Sequence, residues 1–476
     1  MINPFSRGSE QILPFKNGDV PVAELIKIID DQLFKYNKKF NAVITVNPHL
    51  NIEAKKSFES KENLKLAGLT FTVKDMIETA GIRTTNGKSS LLKNIPLKDA
   101  TVVSRLKNAG AILIGKTNLP EGAMDVQTEN KSFGRTLNPW DTDRTCGGSS
   151  GGDAVSVACG MSTVGIGTDI GGSVRIPAGM CGVFSFKPTE NTIPKTGIMF
   201  PGTIKTVRYM ASVGIIARSS NDLKSVFSII AGPDGSDLDV VSYPIIHQRE
   251  LKDIKIASTI DFKDLPVSKE TYIVLENSIA HLKNSIFSIS EDVPQDFNLT
   301  QIWKTYGGLF GIMALAEVNI IIKKFLGIAA PVLIKDTITK EAIRAANSNF
   351  SRYFELLELR DYFTLILELF FKKYDAWLIP ITPMPAPPHR KAGKIHTVVE
   401  YDGQKHPGHL SYVGLTSPFN LTGHPVVTIP AGLSPSGLPV GFQLVGRKFD
   451  DIRLLEIANL IEKGLEGFVR PVLTTN

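Results

Sequence analysis

Two clusters decide the reading of this chain: Cys146-Gly-Gly-Ser-Ser-Gly-Gly-Asp153 and Gly167-Thr-Asp-Ile-Gly-Gly-Ser-Val-Arg-Ile-Pro177. A small-residue, largely apolar run of Ala, Val, Cys and Met joins them. Glycine loses more backbone entropy on folding than any other residue. A chain that concentrates it needs positive φ angles or close approach of backbone N–H groups to something. N–H groups beside serine hydroxyls are the parts of an acyl-transfer site, a nucleophile and an oxyanion hole. One such cluster reads as a tight turn. Two of them flanking one segment, each with serines, read as a site.

Working outward, residues 69–75 (Leu-Thr-Phe-Thr-Val-Lys-Asp) alternate threonine with apolar residues, a strand with Lys74 at its end. A helix over 101–109 and a buried strand over 111–114 precede the first cluster. Strands over 183–187 and 210–216 and a helix capped by Ser219 follow the second. This alternation predicts an α/β layered sheet. A first helix opens near Pro21, and a strand covers 42–46. Residues 303–325 and 340–369 read as helices, 376–380, 426–430 and 440–445 as strands, and 451–464 as a closing helix. Residues 232–300 carry a weaker pattern. With no repeat and no convincing linker, the expectation is one domain over 1–476, with 232–375 its least characteristic part.

Composition narrows the function classes. The chain has 476 residues, 42% hydrophobic and 21% charged, which is ordinary for a soluble globular protein. Its net charge of +6 is spread thinly with no dense Lys/Arg block, so no direct nucleic-acid or membrane-surface footprint is expected. Cys146, Cys159 and Cys181 fit neither a disulfide framework nor a zinc ribbon, and the N-terminus shows no signal-peptide pattern. A cytoplasmic setting follows as an expectation. The most apolar stretch, 309–322, is too short for a membrane span and contains Glu317 and Asn319. It reads as a core-facing helix or as a flexible wall for an apolar substrate.

Competing chemistries are visible. Gly110-Ala-Ile-Leu-Ile-Gly-Lys-Thr117 matches the phosphate-loop spacing, but Ala-Ile-Leu-Ile wants to be a strand where that loop needs a turn. His406-Pro-Gly-His409 has the wrong spacing for two metal ligands on one helix face. Gly147–Gly152 contains the nucleophile-elbow pattern with Ser149 or Ser150 at its centre, and His281, His389, His396, His406, His409 and His424 are candidate bases. The elbow needs a strand before it, and residues 139–145 make a poor one.

A serine–serine–lysine arrangement does without histidine. Thr-Val-Lys-Asp at 72–75, Gly-Gly-Ser-Ser-Gly-Gly-Asp at 147–153 and the 167–177 segment resemble the defining motifs of the amidase signature family, in order and in serine spacing. Phe133–Trp140 and Phe186–Thr189 extend the resemblance, which runs over about residues 69–214 with a fainter echo at 419–432. Over 118–189 the likeness is to the branch containing fatty acid amide hydrolase. The resemblance implies a large mixed β-sheet core covered on both faces by helices, with no cofactor and no metal. It implies Ser173 as nucleophile, Lys74 as base, and Ser149, in a cis peptide after Gly148, as the bridge between them. The N–H groups of Ile170, Gly171, Gly172 and Ser173 would form the oxyanion hole, with Asp169 and Arg175 paired as a brace. By gapless alignment Ala123, Met124 and Val126 fall on substrate-wall positions, with side chains smaller or less aromatic than that branch has there. The implied activity is hydrolysis of linear carboxamides through an acyl-enzyme, with a small-molecule amide as substrate, no direct nucleic-acid partner and a homodimer as one option. The alternative is the glutaminase (A-type) subunit of a tRNA-dependent amidotransferase, which the 187–197 segment argues against.

Overall fold

The structure, a computed structural model, describes residues 3–199, 207–242, 253–283, 287–319, 321–324, 334, 336–391 and 398–473. Among the described residues, fifteen strands follow in chain order. The first six are β1 (Val43–Val46), β2 (Thr70–Lys74), β3 (Ile112–Thr117), β4 (Glu129–Asn130), β5 (Gly134–Arg135) and β6 (Val164–Asp169). Then come β7 (Phe184–Lys187), β8 (Ser212–Ala217), β9 (Lys255–Ser258), β10 (Ser288–Glu291) and β11 (Ala376–Pro380). The last are β12 (Val398–Tyr401), β13 (Gln404–Pro407), β14 (Val426–Leu433) and β15 (Pro439–Val445). β4 pairs with β5 and β12 with β13 in separate ribbons; the other eleven form one sheet, ordered β1-β3-β2-β6-β8-β7-β14-β15-β11-β9-β10. β2 runs parallel to β3 and β6, and β9 runs parallel to β10 and β11. From β6 to β11 the neighbours are antiparallel, so the sheet is mixed.

Strand periodicity sorts the faces. Phe71 and Val73 of β2, Ile166 of β6 and Phe186 of β7 point into one core layer. The apolar sides of the helices Thr101–Asn108, Ser220–Ile230 and Asp451–Gly464 complete that layer. The intervening Thr72 and Lys74 face the opposite layer, toward the helix Gly151–Ala158. Two glycines of β6 let that helix close on the sheet: a Cβ at Gly165 would meet Asp153 Cβ at 2.7 Å, and one at Gly167 would meet Ser150 Oγ at 2.5 Å. Both faces are therefore covered, and β2, β3, β6 and β8 are buried along their length, as strands between two helical layers must be.

The signature region folds as its pattern predicts, and elsewhere there are differences. The helix Gly8–Asn17 was not expected, because its apolar face is interrupted by Pro14. The 303–325 helix runs Leu299–Ala314 and breaks at 315–319, with 321–324 helical again; Ile320 and Phe325 lie outside the described residues. The 340–369 helix is two, Thr337–Ala345 and Phe350–Phe370, separated where Asn349 caps the second by accepting from Arg352 N–H. The weak 232–300 region holds β9, β10 and the helix Lys269–Lys283 between them. The phosphate-loop match is strand β3, and its Lys116 is buried against Ile77 O, Thr79 and Thr84.

Candidate active site

Lys74 ends β2 beside the end of its parallel neighbour β6, where open α/β sheets place their ligands. Its side chain is fully buried. Nζ donates to Ser149 Oγ at 2.6 Å and to Thr168 Oγ1 at 3.0 Å. Burial pushes the amine down to about 7, against the opposing pull of Asp153 and Asp169. A lysine held there has a neutral fraction able to take a proton at neutral pH.

Ser149 sits one residue before the helix-capping Ser150, and the Gly148–Ser149 peptide bond is cis. Glycine is required at 148 because a Cβ would meet the Val126 carbonyl carbon at 2.9 Å. Ser150 N–H donates to Ser173 O at 3.0 Å, tying the two glycine–serine loops together. Ser150 Oγ turns to Thr168 O instead of to a base. The partner of Ser149 is thus an amine, and among the described residues no histidine is bonded to either serine; His396 lies outside them. His406 stacks on Tyr401, while His409 faces Asp336 at 3.3 Å.

Ser173 follows Gly172, whose φ is +118° and whose missing Cβ leaves room for Thr416 Oγ1 at 2.3 Å from that point. The loop is held from below by Asp169. Its carboxylate accepts from Arg175 Nε and Nη2 (3.0 and 2.9 Å), from Val174 N–H, and from Asn420 Nδ2. Burial alone would raise the Asp169 carboxyl, but Arg175 and these donors hold it well below the usual carboxylate range. Arg175 donates onward to Thr416 O, Gln443 and Asn420. The expected brace is therefore present, fully buried, and wider than one pair.

Of the four expected oxyanion donors, Gly172 is corrected: its N–H already donates to Asp169 Oδ1 at 2.8 Å. Ile170, Gly171 and Ser173 keep N–H groups with no partner among the described residues. The loop carbonyls are taken instead, Ile170 O by Tyr306 Oη at 2.9 Å and Gly171 O by Thr416 Oγ1 at 2.6 Å.

Ser149, Thr168 and Ser173 share a cleft of about 420 Å³, measured out to its open mouth. Ala123 and Met124 line it, together with Met76, Ile170, Val207, Phe310, Met313 and Ala314. Val126 does not: its side chain is buried in the core beneath. The helix Leu299–Ala314 divides its roles, with Leu309 in the core and Phe310 and Met313 in the cleft wall. Tyr306, Thr416 and Asn420 brace the loop from distant segments, and nothing in their own stretches of sequence points to it. Thr168 lies within the second glycine–serine cluster, where its residue type alone does not set it apart.

The sequence matches the Amidase family over residues 24–455. The chain belongs to the amidase family. It is an enzyme of the amidase type, a hydrolase of carbon–nitrogen bonds. It is 31% identical over 469 residues to the A-type subunit of glutamyl-tRNA(Gln) amidotransferase from Saccharolobus solfataricus, covering 94% of this chain and 95% of that one. It is 33% identical over 486 residues to the protein of the same name from Carboxydothermus hydrogenoformans, covering 95% of each. Among solved structures, the corresponding glutamyl-tRNA(Gln) amidotransferase chain of Thermotoga maritima superposes with a TM-score of 0.78 at 26% identity, covering 100% of this chain and 99% of that one. A 6-aminohexanoate cyclic dimer hydrolase superposes at 0.82 with 24% identity, covering 99% of this amidase and 100% of that chain, which shows the shared fold.

These relatives overturn two expectations. The amidohydrolase reading, with its leaning toward fatty acid amide hydrolase, gives way to the amidotransferase alternative, because full-length relatives carry that name. The short 187–197 segment that argued otherwise is outweighed by likeness over nearly the whole chain. The expectation that no nucleic acid is a partner falls with it. Among the described residues, no helix is long and apolar enough to cross a membrane.

Proposed function

We propose that this amidase is the glutaminase subunit of a tRNA-dependent amidotransferase, releasing ammonia from glutamine in the cytoplasm for partner subunits that hold glutamyl-tRNA. The likeness to amidotransferase relatives over 94% or more of the chain carries this reading. The buried Lys74–Ser149 contact opening on the Ser173 cleft supports the chemistry. We also read the chain as one domain, since its sheet draws strands from Val43 to Val445.

In this reading Ser173 Oγ attacks the carboxamide carbon. Its proton passes to Ser149 Oγ, and the Ser149 proton passes to the neutral Lys74 amine. The oxyanion is received by the N–H groups of Ile170, Gly171 and Ser173, each such donor contributing on the order of 3 kcal/mol to barrier lowering. The tetrahedral species collapses as the relay returns a proton to the nitrogen, the C–N bond breaks and ammonia leaves. Water then attacks the Ser173 ester by the same relay, giving glutamate and free Ser173.

Two measurements check the reading. Ammonia release from glutamine should be slow for the chain alone and rise at least tenfold with the partner subunits and tRNA; rapid turnover of simple amides with glutamine refused in the complex contradicts it. The relay needs neutral Lys74, so kcat/KM on glutamine should fall as pH drops through about 7 and level off above it. A profile flat down to pH 5 would remove Lys74 as the base.

A further inference from the structure

Asp153 is a buried carboxyl that the relay does not use. It lies in the first turn of the helix Gly151–Ala158, four residues after Ser149. Its side chain has no solvent exposure. Oδ1 accepts from Thr72 Oγ1 at 3.3 Å, and the Thr117 hydroxyl faces the same buried carboxyl. Thr72 and Lys74 are two residues apart on β2 and so share one face. Asp153 is thereby set beside the Lys74 stem, and Gly165 of β6 is what allows this, since a Cβ there would meet Asp153 Cβ at 2.7 Å.

We propose that Asp153 is a positioning residue that sets the proton affinity of Lys74, so that the amine can both accept the Ser173 proton and give it back. The proposal rests on the Lys74–Ser149–Ser173 reading. A relay that runs in both directions needs an intermediate proton affinity. A lysine in a fully buried pocket is pushed toward permanent neutrality. A base whose conjugate acid is too strong takes the proton poorly from Ser149, and one whose conjugate acid is too weak never yields it to the leaving nitrogen. The charged groups acting on the pair are few. Asp153 and Asp169 of β6 favour the charged form of Lys74, while Lys74 and Lys116 of β3 favour the charged form of Asp153. Asp169 is already engaged by Arg175, which leaves Asp153 as the other carboxyl acting on Lys74. Burial also raises the Asp153 carboxyl well above its ordinary range, against the pull of the Thr117 hydroxyl, Lys74 and the Thr72 hydroxyl.

The test is the pH profile of glutamine hydrolysis, run on the assembled enzyme for wild type, Asp153→Asn and Asp153→Glu. Losing the carboxylate should move the acid limb down by about 1 pH unit, the low end for a nearby opposite charge. Across the limb, where the wild-type carboxyl still carries charge, Asp153→Asn should then be faster than wild type, a gain that structural damage does not produce. KM should stay in place and Asp153→Glu should restore the limb. The same shift should appear in the pH dependence of Ser173 inactivation by an aryl sulfonyl fluoride, which needs no turnover. If Asp153→Asn does not fold, Asp153→Ser carries the same expectation. An acid limb that stays put in a folded variant overturns the proposal. Full activity in Lys74→Ala would instead overturn the relay on which it rests.

Discussion

Ser173→Ala is expected to lower turnover by about 10⁴–10⁶-fold, as loss of a nucleophile does in a serine hydrolase, while leaving the unfolding midpoint unchanged. Ser173 is partly exposed in the cleft, and its removed hydroxyl leaves no buried partner unpaired. Lys74→Ala should reduce the rate by a similar factor, and the two losses should not multiply, because both remove one relay. Lys74 differs in stability. It is buried, and the folded site holds its amine down at about 7 from the ordinary value of 10.5. Between those values the unfolded chain binds a proton that the folded chain does not. The Lys74 contribution to stability therefore rises with pH across this window, and below it the site bears the cost of burying a cation. Lys74→Ala should accordingly be tolerated better than a typical buried truncation when unfolding is followed at pH 7. Turnover within tenfold of wild type in either variant would remove that residue from the mechanism.

Arg175→Met is expected to destabilise the protein by about 3–5 kcal/mol, the cost of breaking a fully buried ion pair by removing one partner, and to abolish activity together with it. Arg175 and Asp169 have no solvent exposure, and Asp169 would be left as a buried carboxylate holding the nucleophile loop by Gly172 and Val174 alone. Three acceptors on other segments, Thr416 O, Gln443 Oε1 and Asn420 Oδ1, would lose their donor at the same time. Arg175→Lys should not rescue, because an ammonium cannot span both carboxylate oxygens and these acceptors together. A denaturant midpoint equal to that of wild type would show that the brace is dispensable. The pair also has a pH signature of known sign. Asp169 is held below its ordinary range, so its stabilisation is present above the unfolded carboxyl pKa, near 4, and is lost as pH falls toward the folded value.

What was legible in the sequence follows from how local each constraint is. The two glycine–serine loops announce themselves because close approach must be met on the spot: Gly148, Gly165, Gly167 and Gly172 each face an atom where a Cβ would stand. Lys74 and Ser149 were brought together by the resemblance of their two motifs to the amidase signature, each motif being a local pattern. β9 and β10 were not legible. They are four-residue strands; β9 pairs with β11 more than a hundred residues later and β10 pairs with β9 across an intervening helix, so nothing local marks their pairing. Val126 was misplaced because gapless alignment assigns a position and not a side-chain direction. Gly172 was overcounted as an oxyanion donor because the reach of Asp169 back to its N–H is visible only in three dimensions. Tyr306, Thr416 and Asn420 were missed for a related reason: each acts on the loop through a single bond or two across more than a hundred residues.

The central claim is that glutamine is opened by Ser173. Rapid acid quench of the assembled enzyme during glutamine turnover, followed by peptide mass mapping, tests it most directly. The predicted result is a γ-glutamyl ester on the peptide carrying Ser173, absent in Ser173→Ala and accumulating when water attack is slowed at low pH. Steady ammonia release with an ester on Ser149 or Ser150, or with no ester on any serine, would contradict it.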